Sequence, residues 1–158
     1  MKFEVDGMED FIQLCVYTDK QLDKTIGRAV YPAAQYLANQ VKSAINDLQT
    51  DDSHGDAMKL GPTTRQKEGL QKSFGIARLR RKGNGFNVKL GFDGYNDIMQ
   101  GKWARTGQPN AMIARSVNKG TSFMRPQPFM DRTVAREAQA TIDILDKQFN
   151  EEIAKLWK

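Results

Sequence analysis

The 158-residue sequence contains only one cysteine, Cys15, and one histidine, His54. A lone cysteine cannot form an internal disulfide, and a structural zinc site takes about four histidine or cysteine ligands. A catalytic cysteine normally needs a histidine partner, whereas Cys15 lies in an apolar run between Leu14 and Val16. We therefore expect a buried, unreactive thiol and no zinc site.

Long apolar segments are also missing. No run approaches the roughly 18 residues that span a bilayer, and residues 1–10 carry four acidic side chains, unlike a signal peptide. We expect a chain without membrane contact that leaves the cytoplasm only as part of a particle. Its length predicts a single domain, residues 1–158, with a core large enough to need no disulfide.

Clustered catalytic groups are scarce. The paired carboxylates Glu9-Asp10 and Glu151-Glu152 fall near the chain ends, where we expect them to be exposed and solubilising. Gly83-Asn84-Gly85 lacks the lysine and the following helix of a phosphate-binding loop. Because no nucleophile, base and orienting group come together, we expect no active site and no cofactor. A small nuclease or a peptidoglycan-cutting enzyme is the weakest alternative.

The sequence between 51 and 56 is the one candidate for a metal site. Asp51, Asp52, His54 and Asp56 are dense enough to hold a hard cation. Their spacing does not match a calcium loop, because the glycine is misplaced and no glutamate stands at the last ligand position. We expect a solvated loop and no bound metal.

Charge is unevenly distributed along the chain. Residues 1–64 have a net charge of −4, residues 65–105 of +7 and residues 106–158 of +2. The densest basic cluster is Arg78, Arg80, Arg81 and Lys82. It suits a solvated hairpin tip, an interface with an acidic neighbour or contact with phosphate. No aromatic residue is interleaved, which argues against stacking on single strands.

Apolar periodicity predicts a long helix over residues 20–49. The residues that recur every three or four positions are Leu22, Ile26, Val30, Ala33, Leu37, Val41, Ala44, Ile45 and Leu48. Thr18 or Asp19 is the expected cap, and Pro32 predicts a kink or a break near Tyr31. Residues 8–18 form a short apolar segment of uncertain type.

From Leu70 the period changes to two, which predicts a β-hairpin. Phe86, Val88, Leu90 and Phe92 would form its apolar face, and residues 80–85 its turn. Loop insertions are expected near residues 50–68 and 93–110, followed by a third strand or a short helix over Ala111–Val117, with the strand favoured. An extended connector over 120–128 leads into a last helix, from Pro128 or Phe129 to about Leu156.

These elements predict an α+β fold, in which a small antiparallel sheet (a hairpin or meander) packs against a long N-terminal helix and a long C-terminal helix. Four large apolar residues fall in its loops or at its terminus, namely Trp103, Phe123, Met124 and Trp157. Such residues serve either as minor core anchors or as contacts between subunits, where aromatic side chains concentrate.

Three short motifs carry a family resemblance that extends over residues 20–157. They are Gly69-Leu70 with Ser73-Phe74, then Lys119-Gly120-Thr121, then Pro128-Phe129 with Asp131. In this order and spacing the sequence resembles the minor tail-component family of long-tailed double-stranded DNA phages, the neck, head–tail joining and tail-completion proteins. It departs from that pattern at Lys119, where the family has an acidic residue, and at Gly61-Pro62-Thr63-Thr64.

The resemblance implies a structural protein of the virion, assembled in the cytoplasm of the host bacterium. Such proteins form rings, usually sixfold, that complete the tail or connect it to the head while DNA passes through the lumen. The implied partners are further copies of the chain, other neck, connector or tail-terminator proteins, and the tail tube. The alternative function is a basic DNA-binding module that acts on duplex DNA during packaging or ejection.

Overall fold

The α+β class predicted from the sequence is confirmed by the fold. The computed structural model describes residues 2–4, 19–54, 57–83, 85–99 and 101–156. Its helices are α1 (Asp19–Asn46), α2 (Thr64–Ser73), α3 (Asn110–Lys119) and α4 (Phe129–Leu156), with a 3₁₀ turn at Gly101–Trp103. Its strands are β1 (Lys2–Glu4), β2 (Phe74–Ile76), β3 (Arg80–Lys82) and β4 (Gly85–Phe92).

These elements form two compact units. Unit 1 comprises residues 1–38, 76–90 and 137–158, and unit 2 comprises residues 39–75 and 91–136. Helices α1 and α4 and strands β2 and β4 each contribute residues to both units. None of the helices in the described ranges is both long and apolar enough to span a bilayer.

Strand β4 is the centre of the sheet, between β1 on one side and β2 on the other. It pairs antiparallel with β1, where Phe3 is opposite Val88, and with β3, where Arg81 is opposite Phe86. Lys82 is opposite Gly85, so the turn has two residues and not the predicted six. Gly83, at a φ of 60°, permits this tight reversal. The hairpin prediction is confirmed, but its turn was predicted too wide.

The segment that runs from β2 to β3 alongside β4 contains one extra residue relative to β4. Ala77 donates its N–H to the carbonyl of Lys89 at 2.8 Å, whereas Arg80 is paired with Asn87. Three steps along one strand therefore match two along the other, which defines a β-bulge between β2 and β3. Residues 80–82, which were expected to lie in the turn, therefore form a short strand of their own beyond the bulge.

Unit 1 has its core between α1, β4 and the last part of α4. The buried apolar residues are Ile26, Ala29, Val30, Ala33, Ala34, Leu37, Ala38, Phe86, Val88, Leu90 and Leu145. Helix α1 continues through the exposed Pro32, so the predicted break near Tyr31 is wrong. A proline inside a helix costs about 3 kcal/mol, which the buried side chains of Val30 and Leu37 on either side of it offset.

Helix α2 in unit 2 replaces the second half of the loop that was expected over 50–68. The Thr63 hydroxyl accepts from the backbone N–H of Gln66 at 3.2 Å, and the Gln66 side chain accepts from the N–H of Thr63 at 3.0 Å. This reciprocal capping box starts a helix at Thr64. The loop therefore ends at Thr63, and Leu70 is a buried helical residue and not the start of a strand.

Helix α3 corrects the strand favoured for Ala111–Val117. Ile113, Ala114 and Val117 are buried while Arg115 is exposed. This is helical spacing, since an alternating strand would place Arg115 on the same face as Ile113 and Val117. Pro109 precedes the helix at the cap position.

Helix α4 begins at Phe129, as predicted, and its start is held by unit 2. Asn118, a buried side chain at the end of α3, accepts from the N–H of Met130 at 3.0 Å and of Asp131 at 3.3 Å. Phe92 stacks between Phe74 (centroids 5.0 Å apart) and Phe129 (6.3 Å, edge-on). An aromatic cluster and a distant cap thus fix where the last helix starts.

Glu152 corrects the expectation that the carboxylates near the C-terminus are exposed. Its side chain is 7% exposed, and it pairs with Lys155 one turn later and with Arg28 of α1 at 3.9 Å. Glu151 is exposed as expected. The predictions for residues 8–18, including Cys15 and the cap Thr18, concern residues outside the described ranges.

Candidate functional surfaces

A polar cleft of about 370 Å³ lies within unit 2. Residues from α2, from the segment after β4 and from the start of α3 line it: Arg65, Glu68, Gly69, Lys72, Ser73, Asp93, Tyr95, Asn96, Asp97 and Asn110. A β-bridge between Tyr95 and Pro109 joins the two loop segments. Asn96 donates its N–H to the Gln108 carbonyl at 2.9 Å, and Asn110 donates to that of Gly94 at 3.1 Å.

The orientation of the Asn96 amide in this cleft is determined by its neighbours. Its Oδ1 accepts from the backbone N–H of Ile98 and from that of Gln108, both at 3.0 Å. A flipped amide would place an NH₂ group against these two donors. The Nδ2 group is therefore the end that points away, and it is buried without a hydrogen-bond partner among the described residues.

In Asn110 the amide atom without a partner is the oxygen, whereas in Asn96 it is the nitrogen. Its Nδ2 donates to the carbonyl of Asp93 at 3.0 Å, which fixes the amide in the opposite sense. Its Oδ1 is buried and has no partner within the described part of the chain, and the residue is 3% exposed. A buried polar atom without a partner costs about 1–3 kcal/mol. Each of these two asparagines of the cleft lining thus has one buried amide atom without a partner among the described residues.

Helix α2 packs closely against these two asparagines at Gly69. A Cβ at this position would lie 2.9 Å from Asn110 Oδ1 and 3.1 Å from Asn96 Cβ. Glycine inside a helix costs about 1 kcal/mol relative to alanine. The close approach explains why helix α2 has a glycine here.

An ion pair stands at the rim of the cleft. Arg65 and Asp97 are 2.7 Å apart, and their side chains are 63% and 71% exposed. The hydrogen bond from Arg65 lowers the pKa of Asp97, and the same bond raises the pKa of Arg65. An exposed pair of this kind contributes little to stability. It does mean that the charges of Arg65 and Asp97 at the rim are already paired with each other.

A second surface, which we call the loop platform, consists of Met58, Leu60 and Phe123. These apolar side chains are 53%, 49% and 76% exposed. Lys59 between the first two donates its N–H to the Phe123 carbonyl at 2.8 Å and accepts from the N–H of Arg125 at 2.9 Å. Two loops distant in sequence thus present their apolar side chains from one hydrogen-bonded backbone.

The side chain of Gln127 secures one end of the loop platform. Its Nε2 donates to the carbonyls of Gln49 at 2.9 Å and Leu60 at 3.0 Å, and its Oε1 accepts from the N–H of Gln49 at 3.0 Å. Gly61 leaves room for this arrangement, because a Cβ there would come 2.0 Å from the Gln49 carbonyl oxygen. The platform is therefore fixed by side chains as well as by its backbone.

The basic hairpin, defined as Arg78, Arg80, Arg81 and Lys82, lies in unit 1. All four side chains are exposed. The guanidinium of Arg81 lies over the ring of Phe86 at 5.8 Å from its centroid. β-Pairing places Arg80, Arg81 and Lys82 in one strand, so that their charges are displayed in order along an edge of the sheet.

The loop that begins at Asp51 and Asp52 is held in shape by hydrogen bonds to these two carboxylates. The Asp51 carboxylate accepts from the Ser53 hydroxyl and N–H and from the N–H of Leu60, while Asp52 accepts from the hydroxyl and N–H of Thr64. These bonds lower the pKa of Asp51 to about 2, with the Ser53 hydroxyl as the largest cause, and the hydroxyl of Thr64 is the main cause of the lowered pKa of Asp52.

The expectation for residues 51–56 is a solvated loop without a bound metal ion. His54 is exposed, and Asp56 lies outside the described residues. Among the described residues, no group of three or more histidine, cysteine or acidic side chains is arranged to hold a metal ion. The acidic side chains Asp51 and Asp52 instead hold the loop by bonds to its own backbone.

The remaining residues singled out in the sequence are divided between surface and interior. Phe123 belongs to the loop platform, and Met124 beside it is half-buried and paired with Lys59. Trp103 is half-buried, with the Lys102 ammonium 4.9 Å from its ring centroid. Trp157 lies outside the described residues.

Sequence reasoning did not find Asn96, Asn110 or Gln127. Each acts through contacts 12 to 78 residues away in the chain, which no local pattern signals. Gly69 was noted only as part of a family motif. Comparisons with protein-family models, with curated proteins and with solved structures yielded no match to this chain.

Proposed function

We propose that the chain is a structural subunit of the head–tail joint of a phage particle. In this proposal it assembles into a ring, hexameric by the family expectation, that completes the tail or connects it to the head. The supporting observation is the loop platform, in which Met58, Leu60 and Phe123 are exposed on a hydrogen-bonded backbone. Aromatic and methionine side chains are enriched at subunit interfaces, and a rigid backbone reduces the entropy lost on binding.

The ring would form through head-to-tail contacts between unlike faces. Such a contact closes when the rotation per subunit divides the circle. The basic hairpin of one copy would face the acidic first third of the next, where residues 1–64 carry a net charge of −4. Charge pairing of this kind selects register more than it adds affinity. Neck, connector, tail-terminator and tube proteins would bind above and below, and DNA would pass through the lumen.

Phe123→Ser tests the proposal. Because Phe123 is 76% exposed, the substitution should leave the thermal midpoint of the monomer unchanged. It should lower the fraction of rings that native mass spectrometry and electron microscopy detect at high protein concentration. The matched control is Ile142→Ser, which removes a 44% exposed apolar side chain from unit 1. A strictly monomeric wild type, even with its neck partners present, would contradict the proposal.

The basic hairpin favours a second candidate, a module that binds duplex DNA through phosphate contacts. This alternative predicts salt-sensitive, sequence-independent binding, with a Kd of about 1–100 μM. A mobility-shift assay at about 50 mM salt would detect it, and replacing Arg80, Arg81 and Lys82 together by glutamate should abolish it. Absence of a shift with the wild type would dismiss this function. Unchanged ring assembly of the triple variant at low salt would remove the charge-pairing part of the first.

A further inference from the structure

We propose that one face of the sheet in unit 1, and not the whole basic hairpin, binds the phosphate backbone of duplex DNA. This cationic face consists of Arg80, Lys82 and Lys89, and it excludes Arg81. The inference rests on the second candidate function, the duplex-binding module. It deepens that function by assigning the contact to three named side chains, one of which lies outside the basic hairpin.

The register of the strands puts these three side chains on one face. Arg80 is opposite Asn87 and Lys82 is opposite Gly85 in the antiparallel pair of β3 and β4. Residues that are directly opposite share a face, and every second residue of a strand returns to it. Lys89, two residues after Asn87, therefore lies on the same face as Arg80 and Lys82. All three side chains are exposed.

Arg81 lies on the other face of the sheet. It is opposite Phe86, which belongs to the buried apolar row of β4, and its guanidinium is 5.8 Å from the centroid of that ring. A guanidinium over an aromatic ring at this distance is held by cation–π attraction. The pleat of β3 thus divides the hairpin cations between two faces, and a ligand bound to the cationic face would not meet Arg81.

The three cations are close enough to act on one ligand. Lys82 is two residues from Arg80 along β3, roughly 7 Å, and Lys89 is the diagonal neighbour of Arg80, about 7–8 Å away. The Debye length at physiological salt is about 8 Å, so each charge reinforces the next. The ion pairs among the described residues involve none of the three. Strand β1 adds one residue of each charge, Lys2 and Glu4, so the sheet stays basic.

The composition of the cationic face favours a nucleic acid over a protein. The other described positions that share it in β4 and at the bulge are small or polar, namely Ala77, Gly85 and Asn87. A Cβ at Gly85 would meet only the Lys82 carbonyl oxygen, at 3.8 Å, so the face is open there. Protein interfaces have an apolar core in which lysine is depleted, whereas phosphate contacts need only cations and polar groups. None of these described positions holds an aromatic residue for stacking on single strands, so a duplex fits best.

Fluorescence anisotropy of the full chain with a short duplex of mixed sequence tests the assignment over about 20–200 mM salt. Each phosphate contact contributes about 0.9 to the slope of log K against log salt concentration. Arg80→Gln, Lys82→Gln and Lys89→Gln should each reduce this slope by about 0.9 and weaken binding roughly tenfold at about 50 mM salt. Arg81→Gln is the matched control and should leave the slope unchanged. Circular dichroism would verify that each variant is folded.

The outcomes separate this inference from both proposed functions. Equal reductions of the slope in Arg81→Gln and Lys89→Gln would overturn the cationic face and leave the duplex-binding module standing. Absence of binding by the wild type at about 50 mM salt would dismiss the module and the face together. The ring is tested separately, because Phe123→Ser changes the loop platform of unit 2 and none of these cations.

Poly-L-glutamate, as a competitor, tests an acidic protein as the partner. Duplex DNA carries one charge per about 1.7 Å of its axis, whereas an extended polypeptide spans about 3.3–3.6 Å per residue, so unlabelled duplex should displace the labelled duplex more effectively at equal total charge. Equal displacement by poly-L-glutamate would overturn the choice of DNA. Loss of rings in Lys89→Gln with unchanged duplex binding would assign the face to a neighbouring copy, and tighter binding of a single strand of the same length would refute the duplex.

Discussion

The hydroxyl oxygen of Tyr31 accepts a hydrogen bond from the backbone N–H of Leu79 at 2.9 Å. Leu79 lies in the bulge between β2 and β3, where the change of register takes its N–H out of the ladder with β4. Gly27, one turn earlier on α1, would place a Cβ 3.5 Å from the Tyr31 ring, so the ring lies along the helix surface. The long N-terminal helix thus supplies the hydrogen-bond partner that the bulge removes from the sheet.

Tyr31→Phe should lower the free energy of unfolding by about 1 kcal/mol, because the Leu79 N–H loses its acceptor. Urea unfolding followed by circular dichroism would measure this change. The matched control is Tyr95→Phe, since that hydroxyl makes no hydrogen bond to the described residues and the side chain is 60% exposed. An equal loss in both variants would contradict a specific role for the Tyr31 bond.

The long elements of the fold could be predicted because their periodicity extends over many residues. Helix α1 keeps its apolar spacing from Ile26 to Ile45, and β4 keeps its alternation from Phe86 to Leu90. In α3 only Ile113, Ala114 and Val117 carry the signal, and a run this short fits a strand as easily as a helix. The start of α2 was readable from Thr63 and Gln66, a capping-box pair.

The candidate site was less accessible to sequence reasoning. The exposure of Arg80 could be predicted, because a charged hairpin is visible in the sequence itself. For Phe123 the sequence left open a minor core anchor or a contact between subunits, and the side chain is 76% exposed. The cleft could not, because Asn96 and Asn110 acquire their roles from the Tyr95–Pro109 bridge and from the approach of α2. An asparagine with an unused amide has the same sequence signature as one in a solvated loop.

Gln127→Ala should loosen the loop platform. The substitution removes three hydrogen bonds, two to Gln49 and one to Leu60, and we expect a loss of about 1–3 kcal/mol in unfolding free energy because these groups are partly solvated. Hydrogen exchange should also accelerate at the Lys59 N–H. Gln148→Ala, whose amide makes only a 3.5 Å contact with Glu151, is the matched control. Similar losses in the two variants would refute the role of Gln127.

Glu152 allows a comparison with its neighbour Glu151. Glu152→Ala removes a buried side chain and its ion pairs, and should cost about 1–2 kcal/mol. The partners Arg28 and Lys155 are 69% and 64% exposed, so water can solvate them, which keeps the loss below that of a fully buried pair. Glu151→Ala on the exposed face should change stability by less than about 0.5 kcal/mol. Thermal unfolding at two salt concentrations would measure both, and equal effects would contradict the buried role.

Acid sensitivity should depend on the Asp51 loop. The pKa of Asp51 in the folded chain is lowered from 3.8 to about 2 by the Ser53 hydroxyl, the N–H of Leu60 and the N–H of Ser53. Because the folded pKa lies below the unfolded one, the carboxylate stabilises the fold fully above about pH 4, and this contribution is lost as the pH falls towards 2. Asp51→Asn should therefore be less stable than the wild type at pH 6 and should lose less stability between pH 4 and 2.

Melting temperatures at pH 6, 4, 3 and 2 would measure this difference. Ser53→Ala, which removes the largest cause of the lowered pKa, should give an intermediate profile. Some acid sensitivity should remain in both variants, because the hydroxyl and N–H of Thr64 also lower the pKa of Asp52. If Asp51→Asn loses as much stability as the wild type between pH 4 and 2, the hydrogen bonds to Asp51 do not contribute to the pH dependence of this fold.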